Sequence, residues 1–453
     1  MNSESQLKRK RGFLSKFAPG QIILLSIFII ILIGAIILAL PISQKEPISL
    51  LNIYFVATSV TCVTSLSPVP LTQFSDFGQL IILIMMQIGG LGLITLTLFT
   101  MYLLMDLGLR TQLIAGKLLE MESWPKVREL LFFIIGLTFT CEAIGAFFIF
   151  PTIANKFTLG RAIFLSIFHS VSSFCNAGFC LFPDGIPAFN ENIPFLLITS
   201  LLMFMGSLGF ITWHEISKFL REFRTKKHFS WSLHTRLIAT TTIALLIFST
   251  CFFWMLERDN SLITLSPFKQ FLNSLFNAIA NRNTGFLSVD IIGLHTATLF
   301  MIMIMAFIGA APGSTGSGIK IATFAILIAT LRATILDKKH ITIKGRTIAD
   351  DQIYKALSII GLSLIWITIM TFLLLITEST FNFLDVVFEV FSAFATLGLS
   401  TGVTPFLSTT GKMLIMLTMI AGRVGSLTII LALKQRSGTQ FEFEYPEERI
   451  AIN

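Results

Sequence analysis

Asn176-Ala177-Gly178-Phe179 and Asn283-Thr284-Gly285-Phe286 are two versions of one short turn, and Thr61-Cys62-Val63-Thr64-Ser65-Leu66 and Thr396-Leu397-Gly398-Leu399 are two more. Ser65, Gly178, Gly285 and Gly398 follow one another at separations of 113, 107 and 113 residues. Each turn is preceded by an apolar span and a short amphipathic stretch, and is followed by a second apolar span. A period this regular predicts one structural unit used four times. Four units that each end in a backbone-permissive turn can surround an axis and point carbonyl oxygens at it. Such a ring replaces the hydration shell of a cation.

Composition agrees with that reading. A hydrophobic fraction of 54% with only 13% charge, and a mean hydropathy of +0.81, exclude an ordinary soluble domain and indicate a polytopic membrane protein. A hydrocarbon core of ~30 Å needs about 20 apolar residues of helix. Eight stretches qualify, near 20–42, 78–105, 130–153, 192–215, 237–257, 295–336, 357–379 and 411–433. The first resembles a signal peptide but is too long and apolar, and Pro41 is a poor cleavage context, so it reads as a retained anchor. Segments 1–19, 106–129, 216–236, 332–356 and 434–453 hold 24 of the 33 Lys and Arg. Seven more, Arg282 among them, fall in the intervening loops. The positive-inside rule then places both termini in the cytoplasm. The same dispersal of charge argues against nucleic-acid binding. The five cysteines show no paired or metal-site spacing, and Cys175 and Cys180 read as small apolar filler.

The expected architecture is therefore an all-α integral membrane fold. It has four parallel repeats, each a membrane helix, a pore half-helix and a second membrane helix, and so eight crossings around a central ion path. The boundaries are 1–19 for a cytoplasmic segment, 20–108, 130–223, 237–336 and 357–436 for the repeats, and 437–453 for a cytoplasmic tail. The half-helices are expected near 52–64, 163–175, 268–281 and 383–395. Their C-terminal ends carry partial negative charge toward the axis, which favours a cation. Non-helical backbone at membrane depth is tolerable where it lines a cavity, and glycine permits the positive φ that turns consecutive carbonyls one way. The residues assigned to the ion path are Val63, Thr64, Ser65, Asn176, Ala177, Gly178, Asn283, Thr284, Gly285, Thr396, Leu397 and Gly398.

The third repeat departs from the others. Pro312 and four glycines interrupt the run Gly309-Ala310-Ala311-Pro312-Gly313-Ser314-Thr315-Gly316-Ser317-Gly318-Ile319-Lys320 and break its second helix. A broken helix inside a membrane is a usual place for ion sites and gates. Gly313, Ser314, Thr315, Gly316, Ser317, Gly318, Lys320 and Arg423 are accordingly assigned to a gate. Gly313 and Gly318 have the spacing of a phosphate-binding loop, but Ile319 stands where its lysine belongs and no strand precedes it. Arg423 lies centrally in the eighth span, where a charge costs at least ~2.5–3.5 kcal/mol without a partner. The loop carbonyls are its expected partners; snorkelling to the cytoplasmic interface is the alternative. Asp385 and Glu389 are expected near the outer mouth, and Glu142 in a buried hydrogen bond.

These strings together resemble the Trk/Ktr/HKT superfamily of cation transporters, nearest its bacterial Ktr (NtpJ-like) branch. The resemblance rests on Ser172-Ser173-Phe174-Cys175-Asn176-Ala177-Gly178-Phe179, Arg282-Asn283-Thr284-Gly285-Phe286, Gly316-Ser317-Gly318-Ile319-Lys320, Glu389-Val390-Phe391-Ser392-Ala393-Phe394 and Gly422-Arg423-Val424-Gly425, and it covers residues 20–435. It implies one pore per subunit, a homodimer, and a separate cytosolic nucleotide-binding ring that controls loop 309–320 with Arg423 as latch. It also implies uptake of K+ (or Na+) as the transported ion, with no covalently bound cofactor. Ser65 departs from the glycine usual in bacterial members, and relatives with serine there look sodium-preferring. A serine is expected to distort the turn, because its side chain penalises positive φ.

Two rival functions fit the sequence less well. His214-Glu215 begins a metalloprotease-like pair, but Lys218 replaces the second histidine, and His169 has no nucleophile near it in sequence. A coupled cation symporter is compatible with parallel repeats, whereas four axial turns favour a continuous path.

Overall fold

Four successive groups of helices build the protein, each with a long helix, a short helix, a turn and another helix. A computed structural model describes residues 19–91, 124–224, 230–338 and 340–425. The first group comprises α1 (Pro19–Ala39), α2 (Leu50–Cys62) and α3 (Asp76–Gly90), and the second α4 (Trp124–Ile153), α5 (Leu159–Phe174), α6 (Ile193–Ser207) and α7 (Phe210–Arg224). The third comprises α8 (Leu233–Glu257), α9 (Pro267–Ala280), α10 (Thr296–Ile308) and α11 (Ile321–Ile335). The fourth comprises α12 (Asp350–Thr377), α13 (Phe383–Ala395) and α14 (Thr409–Val424). Among the described residues the strands are only a small hairpin, β1 (Thr342–Ile343) with β2 (Arg346–Thr347).

Packing closes these groups on themselves. The helix that follows the turn in each group packs on the short helix of the next: α3 on α5, α6 on α9, α10 on α13, and α14 back on α2. Polarity is inverted relative to a water-soluble protein. Phe147 is 73% exposed and Phe28, Ile33 and Phe372 are also exposed, while Ser59, Thr61, Asn277, Asn281 and Thr284 are fully buried. Apolar side chains facing outward around buried polar ones suit hydrocarbon as the surrounding solvent.

Local chemistry explains where the helices begin. Ser49 Oγ accepts from Asn52 N at 3.4 Å at the start of α2. Ser75 Oγ accepts from Gly78 N at 3.1 Å at α3, and Ser408 Oγ from Gly411 N at 3.0 Å at α14. These are side-chain caps for otherwise unpaired helical N–H groups. Two carboxylates extend the same device across a group. Glu257, at the end of α8, accepts from His295 N at 3.0 Å and Thr298 Oγ1 at 2.5 Å, which fastens the start of α10. Glu378, just after α12, accepts from Ser408 N at 3.0 Å and from Ser408 Oγ, at the start of α14. Glu191, in the loop before α6 and outside the expected spans, lies 2.7 Å from Lys269 Nζ in the first turn of α9, which holds that carboxyl below its usual range.

Three described helices are individually long and apolar enough to cross a bilayer: Arg128–Ile153, Leu233–Glu257 and Asp350–Thr377. The expected straight span 192–215 is instead a pair, bent by 100° between Ser207 and Phe210. The break therefore does not belong to the third group alone. Gly209 sits there at φ +92°, and Phe210 N donates to Gly313 O at 2.8 Å. A partner from the third group replaces the helical acceptor at the bend. The expected run 295–336 is divided into α10 and α11 around the predicted loop. Spans 78–105 and 411–433 continue into residues outside those described, as do the whole of segments 1–18 and 437–453 and most of 106–129.

Candidate functional site

The four turns meet. Ser65, Gly178, Gly285 and Gly398 have φ of 73°, 72°, 71° and 88°, so all four occupy the same left-handed region. Ser65 takes the glycine conformation, so the serine carries the strain of a positive φ. A Cβ placed on Gly178 would strike Thr284 O, one on Gly285 would strike Leu397 O, and one on Gly398 would strike Thr64 O. Each glycine therefore lies against the carbonyl of the following turn, in the order second, third, fourth, first. The Cβ position at Gly178 also falls 3.0 Å from Ser65 Cβ, which joins the first turn to the second. A cavity of about 430 Å³ opens beside them, with Ser65, Gly178, Gly398, Ser400 and Thr404 in its wall.

The turns are built by their own short helices. Thr64 N donates to Ser59 O at 2.8 Å, Ala177 N to Ser172 O at 2.7 Å, and Leu397 N to Ser392 O at 2.8 Å. This is the bond that ends a helix through a left-handed residue, and Val63, Asn176 and Thr396 supply that residue at φ of 57°, 55° and 50°. The third turn is tighter, with Thr284 N on Ala280 O at 2.8 Å. Side-chain struts then hold the outgoing chain. Ser172 Oγ donates to Phe179 O at 2.8 Å, and Asn277 pairs twice with Ser288, at 3.0 Å each. Glu389 is such a strut and not a mouth carboxylate: it is fully buried and accepts from Ser400 Oγ at 2.7 Å and from Thr404 Oγ1. Asp385 lies 3.4 Å from its own helix cap, Asn382.

The loop between α10 and α11 lies against two of the turns. It is clasped on itself by Ala310 N to Ser317 O at 3.3 Å, Ile319 N to Phe307 O at 3.1 Å and Ile321 N to Ala310 O at 3.0 Å. Thr315 is its hub. Asn176 Nδ2 donates to Thr315 Oγ1 at 2.7 Å, Thr315 Oγ1 donates to Phe174 O at 3.2 Å, and Thr315 N donates to Gly206 O at 3.2 Å. Thr284 Oγ1 donates to Asn176 Oδ1 at 2.6 Å, and Ser317 N donates to Asn283 Oδ1 at 2.9 Å. The loop is thus tied directly to the second and third turns and to the bend after α6. Ser314 Oγ closes back on Ala311 O at 2.5 Å, and Lys320 Nζ donates to Gly316 O at 2.5 Å.

Arg423 fastens the assembly from the fourth group. Nη1 donates to Thr315 O at 2.5 Å and Ser317 Oγ at 3.2 Å, and Nη2 donates to Gly89 O. One guanidinium fork thus joins α14, the loop and α3, a geometry a planar five-donor group suits. The loop carbonyls were expected; Gly89 was not. Its signal in sequence is the pair Gly89-Gly90, because close approach of α3 to the first turn requires a missing side chain: a Cβ on Gly89 would strike Thr61 O. Gly206 bears the same relation to Phe174 O, and Gly422 to Phe394 O.

Other candidates resolve as structural or change place. His169 Nε2 is 3.1 Å from Thr199 Oγ1, and its ring stacks at 4.8 Å on Phe195 and 5.1 Å on Phe286. Glu142 is buried and accepts from Cys175 Sγ at 3.7 Å. Arg282, counted above among loop cations, is only 2% exposed, and its guanidinium has no hydrogen-bond partner among the described residues. No cluster of potential metal ligands occurs among the described residues.

Comparison with known proteins gives this geometry a context. The TrkH family, described as cation transport protein, matches residues 12–442. Ktr system potassium uptake protein B of Bacillus subtilis is 34% identical over 439 residues, covering 96% of this chain and 97% of that protein. Its namesake from Vibrio alginolyticus is 35% identical over 441 residues, covering 96% and 95%. The potassium/sodium uptake protein NtpJ of Enterococcus hirae is 32% identical over 452 residues, covering 98% and 99%. The crystal structure of the potassium transporter TrkH from Vibrio parahaemolyticus shares the fold with a TM-score of 0.67 at 18% identity, covering 86% of this chain and 79% of that one. The carbonyl-on-glycine packing of the turns and the near-complete coverage thus lead to one conclusion: the chain belongs to the TrkH family of cation transport proteins.

Proposed function

We propose that this protein takes up monovalent cations, potassium foremost, across a bacterial inner membrane, driven by membrane potential. The four groups are membrane–pore–membrane repeats, over 20–108, 130–223, 237–336 and 357–436, with eight crossings and four half-helices. Val63, Thr64, Ser65, Asn176, Ala177, Gly178, Asn283, Thr284, Gly285, Thr396, Leu397 and Gly398 form the selectivity filter. Gly313 to Gly318, Lys320 and Arg423 form the gate. The single observation that carries this is the succession of carbonyls on glycines around the four turns, with a loop fastened by Arg423 against two of them. The membrane potential supplies ~2.3 kcal/mol per charge per 100 mV. Members of this family are ion transporters, not enzymes.

Potassium is favoured by the relatives named as potassium uptake proteins. Ser65, together with a relative named for potassium and sodium, supports sodium as a second reading. A homodimer and a cytosolic nucleotide-binding ring are the partners the sequence resemblance supports. The test is flux of K+ and Na+ into liposomes holding the purified protein, under an imposed potential. A potassium flux that grows with voltage is expected. Absence of flux for both ions overturns the reading, and flux with fixed stoichiometry to a second ion replaces it with symport.

A further inference from the structure

A groove of about 730 Å³ runs between α8 and α11, away from the four turns. Leu237, Ala244, Phe248, Phe324 and Ile328 make its walls, and Arg332, Lys338 and Lys344 stand at one end. The β1–β2 hairpin closes that end. Its two tip residues, Lys344 and Gly345, have φ of 48° and 79°, and Lys344 Nζ reaches across to Arg236 O at 3.1 Å and Thr240 Oγ1 at 3.3 Å on α8. Arg332 and Lys338 are exposed and make no ion pair among the described residues. The groove is thus amphipathic along its length, apolar toward Phe248 and cationic toward Lys338.

We propose that this groove is a binding site for one anionic phospholipid of the cytoplasmic leaflet. Its phosphate would sit at Arg332 and Lys338, and one acyl chain would lie between Phe248 and Phe324. Two observations select this occupant. The first is charge complementarity, since a basic pocket between membrane helices on the cytoplasmic side holds anionic headgroups. The second is length. From Leu237 to Phe248 the helix rises ~16 Å at 1.5 Å per residue, close to half of a ~30 Å hydrocarbon core. A soluble anion would use the charged end and leave the apolar walls bare. A second protein copy would need its own acidic face there.

The site also has a place in control. α11 begins at Ile321, directly after the loop whose Thr315 and Ser317 hold Arg423, and Phe324 lies within its first turn. A chain seated against Phe324 therefore braces the helix that carries the loop. Anionic lipid is expected to change transport through that brace, a consequence that rests on the gate reading above; binding itself does not.

Native mass spectrometry of the purified full chain, with phosphatidylglycerol or phosphatidylcholine added, tests binding without reference to transport. Retention of phosphatidylglycerol over phosphatidylcholine is expected. The double variant Arg332→Gln, Lys338→Gln should weaken it about thirtyfold, at roughly fivefold per cation near a membrane surface. Ala244→Phe, which narrows the chain seat and spares the charges, should also lower retention. Equal retention of the two lipids, or undiminished retention in the double variant, overturns the site. Retention unaffected by Ala244→Phe but displaced by inorganic phosphate makes it a soluble-anion site and overturns the phospholipid. Efficient crosslinking between two chains through Ala244→Cys in the membrane makes the occupant a second copy. Flux in vesicles with and without phosphatidylglycerol then tests the brace: wild-type flux should depend on the lipid, and flux of the double variant should not. Lipid-selective binding with lipid-independent flux refutes the brace and leaves the site, whereas loss of all flux in any lipid refutes cation uptake instead.

Discussion

Replacing Arg423 by lysine keeps a positive charge and removes the fork. The guanidinium reaches Thr315 O, Ser317 Oγ and Gly89 O, which belong to two different elements. A lysine ammonium at the end of a flexible stem can satisfy one of these at good geometry. On the proposed gate, moving the loop out of the ion path would break the bonds to Thr315 and Ser317, while the bond to Gly89 can persist. Hydrogen bonds to a charged donor are worth ~1.5–3 kcal/mol each. At the lower end two such bonds hold the loop by about 3 kcal/mol, or roughly 150-fold in its in–out equilibrium. The assay is rubidium or potassium flux into liposomes with the purified chain and no regulatory ring, comparing wild type with Arg423→Lys. Resting flux should rise roughly 13-fold where the lysine keeps one loop bond and toward about 150-fold where it keeps only Gly89, until open-path conduction limits it. Folding is checked by an unchanged elution profile and unfolding temperature. Wild-type resting flux in a folded variant would refute the view that Arg423 holds the loop.

Ser65→Gly should raise the potassium-to-sodium flux ratio, because it clears a Cβ from the meeting point of the first, second and fourth turns; an unchanged ratio defeats the selectivity argument. The same variant relieves left-handed strain of about 1–2 kcal/mol and loses ~0.5–1 kcal/mol to unfolded-chain entropy, so unfolding temperature should rise slightly or hold. Gly398→Ala should abolish uptake, since its Cβ meets Thr64 O at φ 88°, whereas Ser65→Ala adds no atom and should keep transport; growth on limiting potassium separates the two. Glu257→Ala strands the donors of His295 and Thr298 and should cost about 2–4 kcal/mol, read as a lower unfolding temperature in detergent. Lys269 depresses the Glu191 carboxyl, so this contact stabilises the fold above the ordinary carboxylate pKa and is lost as pH falls through the lowered value. Glu191→Gln should remove that acid dependence from the thermal profile, and an identical profile in both proteins would discount the contact.

Much of the framework is local and was legible as such. The stretch expected at 383–395 is α13 at Phe383–Ala395, and that at 268–281 is α9 at Pro267–Ala280. The break at 309–320 was legible because Pro312 and its glycines cannot continue a helix. The bend at Ser207–Phe210 was not, because 192–215 reads as one mostly apolar run whose one proline, Pro194, sits at the start of α6, where a helix tolerates it, and not at the bend. Glu389 illustrates the same limit: its position early in a short helix suggests a mouth, while its acceptors are taken up by Ser400 and Thr404.

The sequence by itself therefore determined the apolar, helical character of the chain, the positions of the four turns and the place of one broken helix. All of these follow from hydropathy and backbone preference, which act over a few residues. Tertiary structure decided which turn abuts which, that α6 ends where it does, that Arg282 is buried, and that Arg423 spans the loop and Gly89. Those outcomes depend on donors and acceptors brought together from distant parts of the chain. Phe210 finds Gly313, Asn176 finds Thr315, and Arg423 finds Gly89 only after the four groups have closed around one another. Backbone groups freed by a break must be paired in an apolar interior, and the closed ring of helices is what supplies the partners.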